Sequence, residues 1–573
     1  MSAIIRRGVN LLQGESMTRR MCGRAAGAGR IGVVAVAALS ASLLLIGPCR
    51  AAQTAPVVRI PQGSLAGVAQ GTADAYLGIP YAAPPVGRNR WRAPQPAPYW
   101  QGVRPATRFA ANCWQHIDPA GVGPWTHEYF PQGRASEDCL YLNIWTPAPD
   151  LRHRLPVLVW IPGGGFVSGS GSVALYNGAR FAEQGIVVVT INYRVGLFGF
   201  FVTPALAAEA VREHEPPGNY GLQDMIAALH WVQRNIAAFG GDPDAITVGG
   251  QSAGAMSVHD LIVSPLATGL FQRAIVQSGL ADTAPVPSLA EAETAGARLA
   301  RSKGAGSLAA LRALTPKELT AGTLAGKQYP LLVPIADGVL LPAAPETLLI
   351  PGAFADVPIL AGIDGDEATA FSEGPLVKSM SQSAWKALLA KTFGALAPRF
   401  ASLYPAATAA ERARSDRQLH RDLGLAEVSN WSRVWNAHAR SPAYAYLFDH
   451  LEPGPQSSRW GMFHSSELAY VFGTLDAAPE RHFGAVDRTL SARLMRYWVD
   501  FVKSGNPNGA GLPVWPAMGR GDDPEVMVLA RELEPRPVLP ADKLQAMEAF
   551  IASGATPSIF FGRRPVFTAP ASR

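Results

Sequence analysis

Residues 53–573 of this 573-residue chain lack a charge excess of either sign. Residues 1–52 hold seven arginines and one acid, Glu15, which together account for the whole formal net charge of +6. A nucleic-acid partner requires clustered basic residues, and outside the first 52 residues there is no such cluster. Charged residues are also scarce, at 16% against 48% hydrophobic residues, which excludes a disordered chain and predicts a large packed core.

The N-terminal 52 residues predict an export signal. A basic stretch that ends at Arg30 precedes sixteen mostly apolar residues, 31–46, and small residues follow. Sixteen residues fall short of the about 20 that a membrane span needs, although an uncleaved anchor is an alternative. Arg19-Arg20 resembles part of a twin-arginine signal. We expect residues 1–52 to be a signal peptide and residues 53–573 a single secreted or periplasmic domain without stable membrane insertion.

Cysteine is scarce, and only Cys113 and Cys139 lie outside the predicted signal. Two cysteines in an oxidising compartment most simply form one disulfide. The alternative is two buried free thiols.

Short apolar runs alternate with helical patterns along the rest of the chain. Runs that are apolar at nearly every position suit strands covered on both faces, as in a parallel sheet. Residues 221–239 instead place Leu222, Ile226 and Leu229 at three- and four-residue spacing, which predicts a helix. This alternation predicts an α/β fold, with the Ala- and Leu-rich stretch 288–324 forming helices outside the sheet as a cap. The predicted strands are 155–161, 186–193, 245–250, 357–363 and 443–448.

The sequence Gly250-Gln251-Ser252-Ala253-Gly254 is typical of a nucleophile elbow, in which a serine occupies a sharp strand-to-helix turn. A chain with 57 glycines can contain this pattern by chance, so the neighbouring elements must show whether it is an elbow. It follows the predicted strand 245–250 and precedes a predicted helix over 255–263. We therefore expect Ser252 to be a nucleophile rather than an idle serine in a glycine-rich turn.

Three consecutive glycines, Gly163-Gly164-Gly165, follow the predicted strand 155–161. An α/β-hydrolase places its oxyanion loop at this position, where backbone N–H groups bind the developing negative charge. Phosphate-binding loops end in Lys-Ser or Lys-Thr, whereas Phe166-Val167 follows here. The glycines therefore favour an oxyanion loop over a phosphate site.

Several further stretches resemble one family, the type-B carboxylesterases and lipases, which includes carboxylesterases, cholinesterases and para-nitrobenzyl esterases. The resemblance covers roughly residues 56–520. It implies an α/β-hydrolase fold, with a large, mostly parallel central sheet, helices on both faces and inserted helical cap segments. The stretches that carry it are Gly78-Ile79-Pro80-Tyr81-Ala82, Pro84-Pro85-Val86-Gly87, Ser136-Glu137-Asp138-Cys139-Leu140-Tyr141-Leu142-Asn143, Asn192-Tyr193-Arg194, Gly218-Asn219-Tyr220-Gly221-Leu222-Gln223-Asp224, Phe239-Gly240-Gly241-Asp242-Pro243, Tyr497-Trp498 and Gly505-Asn506-Pro507-Asn508.

The resemblance also implies a catalytic triad. The family's acid lies in a Gly-x-x-x-Asp-Glu stretch, matched here at residues 362–367, so Glu367 is the expected acid. Asp364 and Asp366, in the same stretch, are the alternative carboxylates for this role. The family's base lies in a His-x-x-Glu-Leu stretch, matched at residues 464–468, so His464 is the expected base for Ser252.

Further roles follow from the same resemblance. It implies an oxyanion hole made by the N–H groups of Gly164, Gly165 and Ala253, and a serine near the histidine, matched by Ser278. Around the entrance it implies a Cys113–Cys139 disulfide and an Arg90–Glu137 ion pair. Neither a cofactor nor a metal is implied.

Gln251 departs from the family pattern, which usually has glutamate before the nucleophile. Because that carboxylate favours cationic substrates in cholinesterases, we do not expect choline esters here. The predicted function is hydrolysis of small-molecule carboxylic esters through an acyl-enzyme on Ser252. The alternatives are a lipase or amidase on the same machinery, or an inactive adhesion-type relative. Ester specificity and oligomeric state do not follow from the sequence.

Overall fold

The computed structural model of the chain describes residues 55–116, 121–147, 154–279, 286–322, 332–371, 380–454, 456–519 and 524–555. The predicted export signal lies outside these ranges and stays a prediction. Within them, no helix combines the length and apolar character needed to cross a membrane.

An eleven-stranded sheet forms the centre of the described structure, with the spatial order β16-β15-β14-β13-β12-β11-β9-β10-β8-β4-β3. A three-stranded sheet of β1, β2 and β5 and a two-stranded sheet of β6 and β7 lie outside it. The strands, numbered along the chain, are β1 (Val57–Ile60), β2 (Gly63–Ala66), β3 (Val68–Gln70), β4 (Ala73–Pro80), β5 (Val103–Pro105), β6 (Asn112–Cys113), β7 (Ala135–Ser136), β8 (Tyr141–Pro147), β9 (Leu155–Ile161), β10 (Val187–Ile191), β11 (Gly241–Gln251), β12 (Arg273–Gln277), β13 (Ile359–Asp364), β14 (Ala443–Phe448), β15 (Glu525–Leu529) and β16 (Leu533–Pro537).

The middle of the sheet is parallel. Strands β10, β9, β11, β12, β13, β14 and β15 run in one direction, whereas β8, β4, β3 and β16 add antiparallel pairings at the two sides. All five predicted strands belong to the parallel part, and β9 and β14 have the predicted bounds. Their continuous apolar sequences are buried from both faces, as strands of a parallel sheet require.

Side chains of the strands alternate between two apolar cores. In β9, Val157 and Val159 pack into one core, and Leu158 and Trp160 into the other. The first core contains side chains of the helices Tyr220–Asn235, Ala253–Val263 and Ala409–His438. The second core contains those of Ala485–Ser504. Helices therefore cover both faces of the sheet, as the alternating sequence predicts.

The predicted helix over 221–239 is an α-helix that continues as a 3₁₀ turn over Ile236–Phe239. The predicted cap segment over 288–324 contains three α-helices outside the sheet, as far as residue 322: Leu289–Ser302, Leu308–Ala313 and Pro316–Thr320. The α-helices are α1 (Ala179–Ala182), α2 (Gly196–Gly199), α3 (Pro204–Arg212), α4 (Tyr220–Asn235), α5 (Ala253–Val263), α6 (Leu289–Ser302), α7 (Leu308–Ala313), α8 (Pro316–Thr320), α9 (Gln382–Phe393), α10 (Ala397–Leu403), α11 (Ala409–His438), α12 (Ser457–Trp460), α13 (Leu468–Phe472), α14 (Ala485–Ser504) and α15 (Ala541–Ala552).

Candidate active site

Ser252 occupies the single residue between the end of β11 and the start of α5. Its backbone has φ 57° and ψ −127°, a conformation that a non-glycine residue adopts only under constraint. The turn is held from both sides, because the Ser252 N–H donates to the Gln277 carbonyl (2.8 Å) and the Ser252 carbonyl accepts from the Met256 N–H (2.9 Å). This strained strand-to-helix turn is the geometry expected of a nucleophile elbow.

The two motif glycines are required by close packing. A Cβ on Gly250 would lie 2.4 Å from the carbonyl carbon of Gly254, and one on Gly254 would lie 2.1 Å from the Ile161 carbonyl oxygen. Both contacts are with backbone, which cannot move aside as a flexible side chain can. Glycine at both positions lets α5 start directly behind the turn and against the end of β9.

The Gly163–Gly165 loop lies beside the elbow. A Cβ on Gly163 would approach the Gln251 carbonyl oxygen to 2.6 Å and the Ser252 Cβ to 3.1 Å. Gly164 and Gly165 have φ values of +121° and +61°, which favour glycine. Within the described ranges, the N–H groups of Gly164, Gly165 and Ala253 donate no hydrogen bond. Three backbone donors are therefore free beside the serine.

Glu367 and His464 are joined by a hydrogen bond of 2.5 Å between Glu367 Oε2 and His464 Nδ1. Their side chains are only 3% and 5% exposed, so little water competes for this contact. The second oxygen of Glu367 accepts a hydrogen bond from the backbone N–H of Asp364 (2.8 Å). Each carboxylate oxygen therefore has a fixed donor, which fixes the orientation of the imidazole.

Gln251 contacts the other ring nitrogen, with its Nε2 3.1 Å from His464 Nε2. An amide nitrogen can only donate, so His464 Nε2 accepts and the ring proton is on Nδ1, facing Glu367. This is the tautomer that a general base requires. No hydrogen bond joins Ser252 and His464 within the described structure, where His464 Nε2 contacts the amide of Gln251 instead.

Asp366 faces away from the histidine, although the sequence left it as an alternative acid. It lies within 3.5 Å of Arg417 and accepts a hydrogen bond from the Met462 N–H (3.2 Å). Ser278 has φ 53°, and its buried hydroxyl has no hydrogen-bond partner among the described residues. It therefore gives no direct support to His464.

Two buried acids lie next to the triad: Asp364, which the sequence left only as an alternative acid, and Glu467, which the sequence assigned no role. Asp364 Oδ2 accepts from the Ser465 N–H (2.8 Å), and Glu467 Oε1 accepts from Gln277 Nε2 (2.7 Å). Both residues are 0% exposed. The signals in the sequence were the Gly-x-x-x-Asp-Glu stretch, which contains Asp364, and the His-x-x-Glu-Leu stretch, which contains Glu467.

Aromatic rings surround the outer side of His464. The Trp125 Nε1–H donates to the His464 carbonyl (3.0 Å), and the Trp125 and Phe371 rings lie 6.3 Å and 5.0 Å from the imidazole centroid. Trp460 and Phe463 belong to the same apolar cluster. The histidine therefore has an apolar aromatic wall beside it.

Trp125 belongs to a segment closed by the predicted disulfide, which the structure contains between Cys113 and Cys139. At its base, Arg90 Nε and Nη2 donate to Glu137 Oε2 and Oε1 at 2.6 and 2.5 Å. Both side chains of this ion pair are less than 10% exposed. The two links fix both ends of the segment that carries Trp125.

Comparison with known proteins identifies the family. A sequence model described as "Carboxylesterase family" matches residues 54–547. The chain belongs to the carboxylesterase family. This carboxylesterase is 37% identical over 487 residues to the fumonisin B1 esterase of Sphingopyxis macrogoltabida, covering 80% of the chain and 84% of that protein. It is 34% identical over 522 residues to the cocaine esterase of Homo sapiens, with coverages of 85% and 88%.

Comparison with solved structures supports the same family. A PNB esterase matches this carboxylesterase with a TM-score of 0.71 and 32% identity, over 86% of this chain and 100% of that chain. The match and the mostly parallel sheet confirm the predicted family and the α/β-hydrolase fold. The protein is therefore a carboxylic ester hydrolase, and small-molecule esters are its substrate class.

Proposed function

We propose that this carboxylesterase forms an acyl-enzyme on Ser252, with His464 as general base and Glu367 as the acid that orients it. His464 Nε2 takes the serine proton as Ser252 Oγ attacks the ester carbonyl carbon. The imidazolium then returns that proton to the leaving alcohol. In the second half, His464 removes a proton from water, which attacks the acyl carbon and releases the carboxylic acid.

The contact that carries the proposal is the buried Glu367–His464 hydrogen bond, together with the tautomer that Gln251 defines. With its proton on Nδ1, the imidazole presents a lone pair on Nε2. For the reaction to start, the Gln251 amide gives up its contact with Nε2 to the serine hydroxyl. Gln251 ends β11 and Ser252 follows it, so the exchange takes place between neighbouring side chains.

The N–H groups of Gly164, Gly165 and Ala253 are the proposed oxyanion hole. Their lack of partners among the described residues supports this role, because an oxyanion would satisfy all three. Such donors act through fixed dipoles that need no rearrangement as charge develops, and loss of one typically costs about 2.7–4 kcal/mol of transition-state stabilisation.

Neutral esters are the proposed substrates rather than choline esters. Gln251 brings no negative charge to the histidine, and Trp125 and Phe371 make the neighbouring wall apolar. An uncharged acyl or alcohol group can pack against these rings, with the release of water as its driving force.

Hydrolysis of para-nitrophenyl esters of increasing chain length tests the proposal. We expect Ser252→Ala to lower kcat by roughly 10⁵- to 10⁶-fold, as loss of a triad nucleophile does. Ser278→Ala is the matched control, because Ser278 also follows a strand and has a positive φ. It should keep activity within about tenfold of wild type. Equal nitrophenol release by wild type and Ser252→Ala would exclude the acyl-enzyme.

We further propose that residues 1–52 direct export and that the protein acts outside the cytoplasm. The Cys113–Cys139 disulfide supports an oxidising location. N-terminal sequencing of the exported protein is the test, with cleavage near residue 52 expected. Export that depends on Arg19 and Arg20 would identify the twin-arginine route, and retention of residues 1–52 in a membrane fraction would identify an anchor instead.

A further inference from the structure

Three acidic side chains, Glu367, Asp364 and Glu467, lie together beneath the imidazole of His464. Asp364 ends strand β13, and Glu467 directly precedes α13. Glu367 and Glu467 both act electrostatically on Asp364. All three are at most 4% exposed, so water does not screen their charges.

Each of the two acids next to Glu367 has one oxygen satisfied and one without a donor. Asp364 Oδ2 accepts from the Ser465 N–H, and Glu467 Oε1 accepts from Gln277 Nε2. The remaining oxygens, Asp364 Oδ1 and Glu467 Oε2, are buried and have no hydrogen-bond partner among the described residues. Yet the two side chains are within hydrogen-bonding contact of one another. Two ionised carboxylates cannot form that bond, because neither can donate.

Cations do not resolve the conflict. Within the described ranges, no arginine, lysine or histidine forms an ion pair with Asp364 or Glu467. Glu367 and the side chain of Gln277 also face the pair. The phenol of Tyr446 interacts with all three acids, and those of Tyr129 and Tyr176 interact with Glu467. Two adjacent negative charges in this setting would each carry the desolvation cost of a buried ion without a counter-charge.

We propose that Asp364 and Glu467 share one proton, which Asp364 carries on Oδ1 and donates to Glu467 Oε2. The pair then has one negative charge, and all four of its oxygens take part in a hydrogen bond. This inference rests on the proposed triad, since it concerns how Glu367 and His464 are held.

The directions of the titration shifts agree with this distribution. Burial raises the pKa of Asp364 well above its usual range, and the charges of Glu467 and Glu367 raise it further. Burial also raises the pKa of Glu467, but hydrogen bonds from Asp364 and Gln277 oppose that rise. Both shifts favour a proton held by the pair.

The pair acts as a positioning device for the triad. Asp364 supports Glu367 through its backbone N–H and supports the histidine segment through the Ser465 N–H. Ser465 has φ 84°, a strained conformation that this hydrogen bond helps to hold. Protonated Asp364 therefore fixes both partners of the Glu367–His464 contact without adding a second charge.

Amide substitutions provide the sharpest test. Asp364→Asn keeps an acceptor for the Ser465 N–H and a donor for Glu467, and Glu467→Gln keeps an acceptor for Gln277 and a donor for Asp364. Each single variant preserves one negative charge, so the acidic limb of the kcat/KM profile should stay at its wild-type pH. If both acids were ionised, either amide would remove a charge and move that limb about one pH unit lower, which would overturn the proposal.

Asp364→Leu separates positioning from charge. It removes both side-chain hydrogen bonds, and we expect kcat to fall about 10- to 100-fold with little change in KM, because the Glu367–His464 geometry loosens. Asp364→Asn should restore near-wild-type kcat. If the asparagine variant is as impaired as the leucine variant, the neutral donor proposed for Asp364 does not exist.

Infrared difference spectroscopy gives a readout that needs no activity. At neutral pH the wild type should show a protonated-carboxyl C=O band that Asp364→Asn lacks, and Asp449→Asn, in a partly buried arginine pair, should keep that band. Absence of this difference band would overturn the shared proton. If Ser252→Ala hydrolysed esters as well as wild type, the proposed triad would be wrong. The infrared band would still show whether Asp364 and Glu467 share a proton.

Discussion

Two buried acidic regions of this carboxylesterase neutralise their charge in opposite ways. Near the Cys113–Cys139 segment, Asp224 is fully buried and receives hydrogen bonds from Arg194 Nε and Nη2 at 2.8 and 2.7 Å. Beneath the triad, Asp364 and Glu467 are equally buried, and no cation in the described part of the chain pairs with either of them. In the first region an ion pair neutralises the acid, whereas in the second a proton shared by the two acids neutralises one of them.

The difference follows from what each region must do. Burial raises the pKa of Asp224, but Arg194 opposes the rise and is itself a permanent cation, so the pair stays ionised. An arginine beside Asp364 would also face Glu367 and compete with His464 for its carboxylate. A proton neutralises the second acid without that competition. The region without arginine thus leaves Glu367 available to the histidine.

Removing the charge of Glu367 should have the largest effect. We expect Glu367→Gln to lower kcat roughly 10⁴-fold, because an amide no longer favours the tautomer with the proton on Nδ1 or stabilises the imidazolium. Steady-state kinetics with a para-nitrophenyl ester measures this.

Asp366→Asn is the matched control for that variant. Asp366 is adjacent in sequence but faces Arg417, so its amide variant should stay within about tenfold of wild type. A larger loss for Asp366→Asn than for Glu367→Gln would reassign the acid.

The same Asp→Asn change should have unequal effects on stability in the two regions. Asp224→Asn leaves Arg194 buried without its counter-charge and should lower the free energy of unfolding by about 3–5 kcal/mol. Asp364→Asn replaces a neutral acid by a neutral amide and should change it by less than about 1 kcal/mol. Urea denaturation monitored by tryptophan fluorescence measures both. Equal losses would remove the distinction between ion pair and shared proton.

The sequence indicated which residues belong to the candidate site more readily than which contacts join them. Strands β9 and β14 and the elbow at Ser252 follow from local patterns, because apolar runs and glycines report directly on burial and tight turns. The contact between Glu367 and His464 required the family resemblance, since spacing along the chain fixes no distance between loops that follow different strands.

The partnership of Asp364 with Glu467 was missed for a related reason. It depends on the order of β12, β13 and β14 in the sheet and on side-chain orientation at the strand ends. The Gln251–His464 contact likewise depends on a side-chain rotamer at the end of β11. Edge strands such as β3 and β16 were also not predicted, because their short, partly exposed sequences lack a continuous apolar run.

His259 extends the comparison to a buried base whose Nε2 has no hydrogen-bond partner among the described residues. It lies in α5 against Trp431, and burial lowers its pKa to about 3. Below about pH 6.5 the unfolded chain binds a proton that the folded chain does not. The contribution of neutral His259 to the free energy of unfolding is therefore fully present above pH 6.5 and is lost as the pH falls towards 3. Between pH 7 and pH 5 the loss is about 2 kcal/mol.

His259→Phe should reduce that acid sensitivity, because phenylalanine keeps the ring but does not titrate. Urea denaturation at pH 7 and pH 5, for wild type and variant, gives the difference. An identical pH dependence in both proteins would mean that His259 is charged or hydrated in the folded state.

The smallest effect should come from placing the glutamate that is usual in the family at position 251, beside His464. Gln251→Glu places a negative charge next to His464 Nε2, where Gln251 Nε2 now lies 3.1 Å away. The charge favours the imidazolium, so a higher pH is needed to free the base, and the acidic limb of kcat/KM should move about one unit upward. Gln251→Met is the matched neutral variant: it loses a hydrogen bond to the neutral imidazole without gaining charge, so the limb should move upward by less than in Gln251→Glu. If methionine moved the limb as far as glutamate did, the hydrogen bond of Gln251 and not its neutrality would control the histidine.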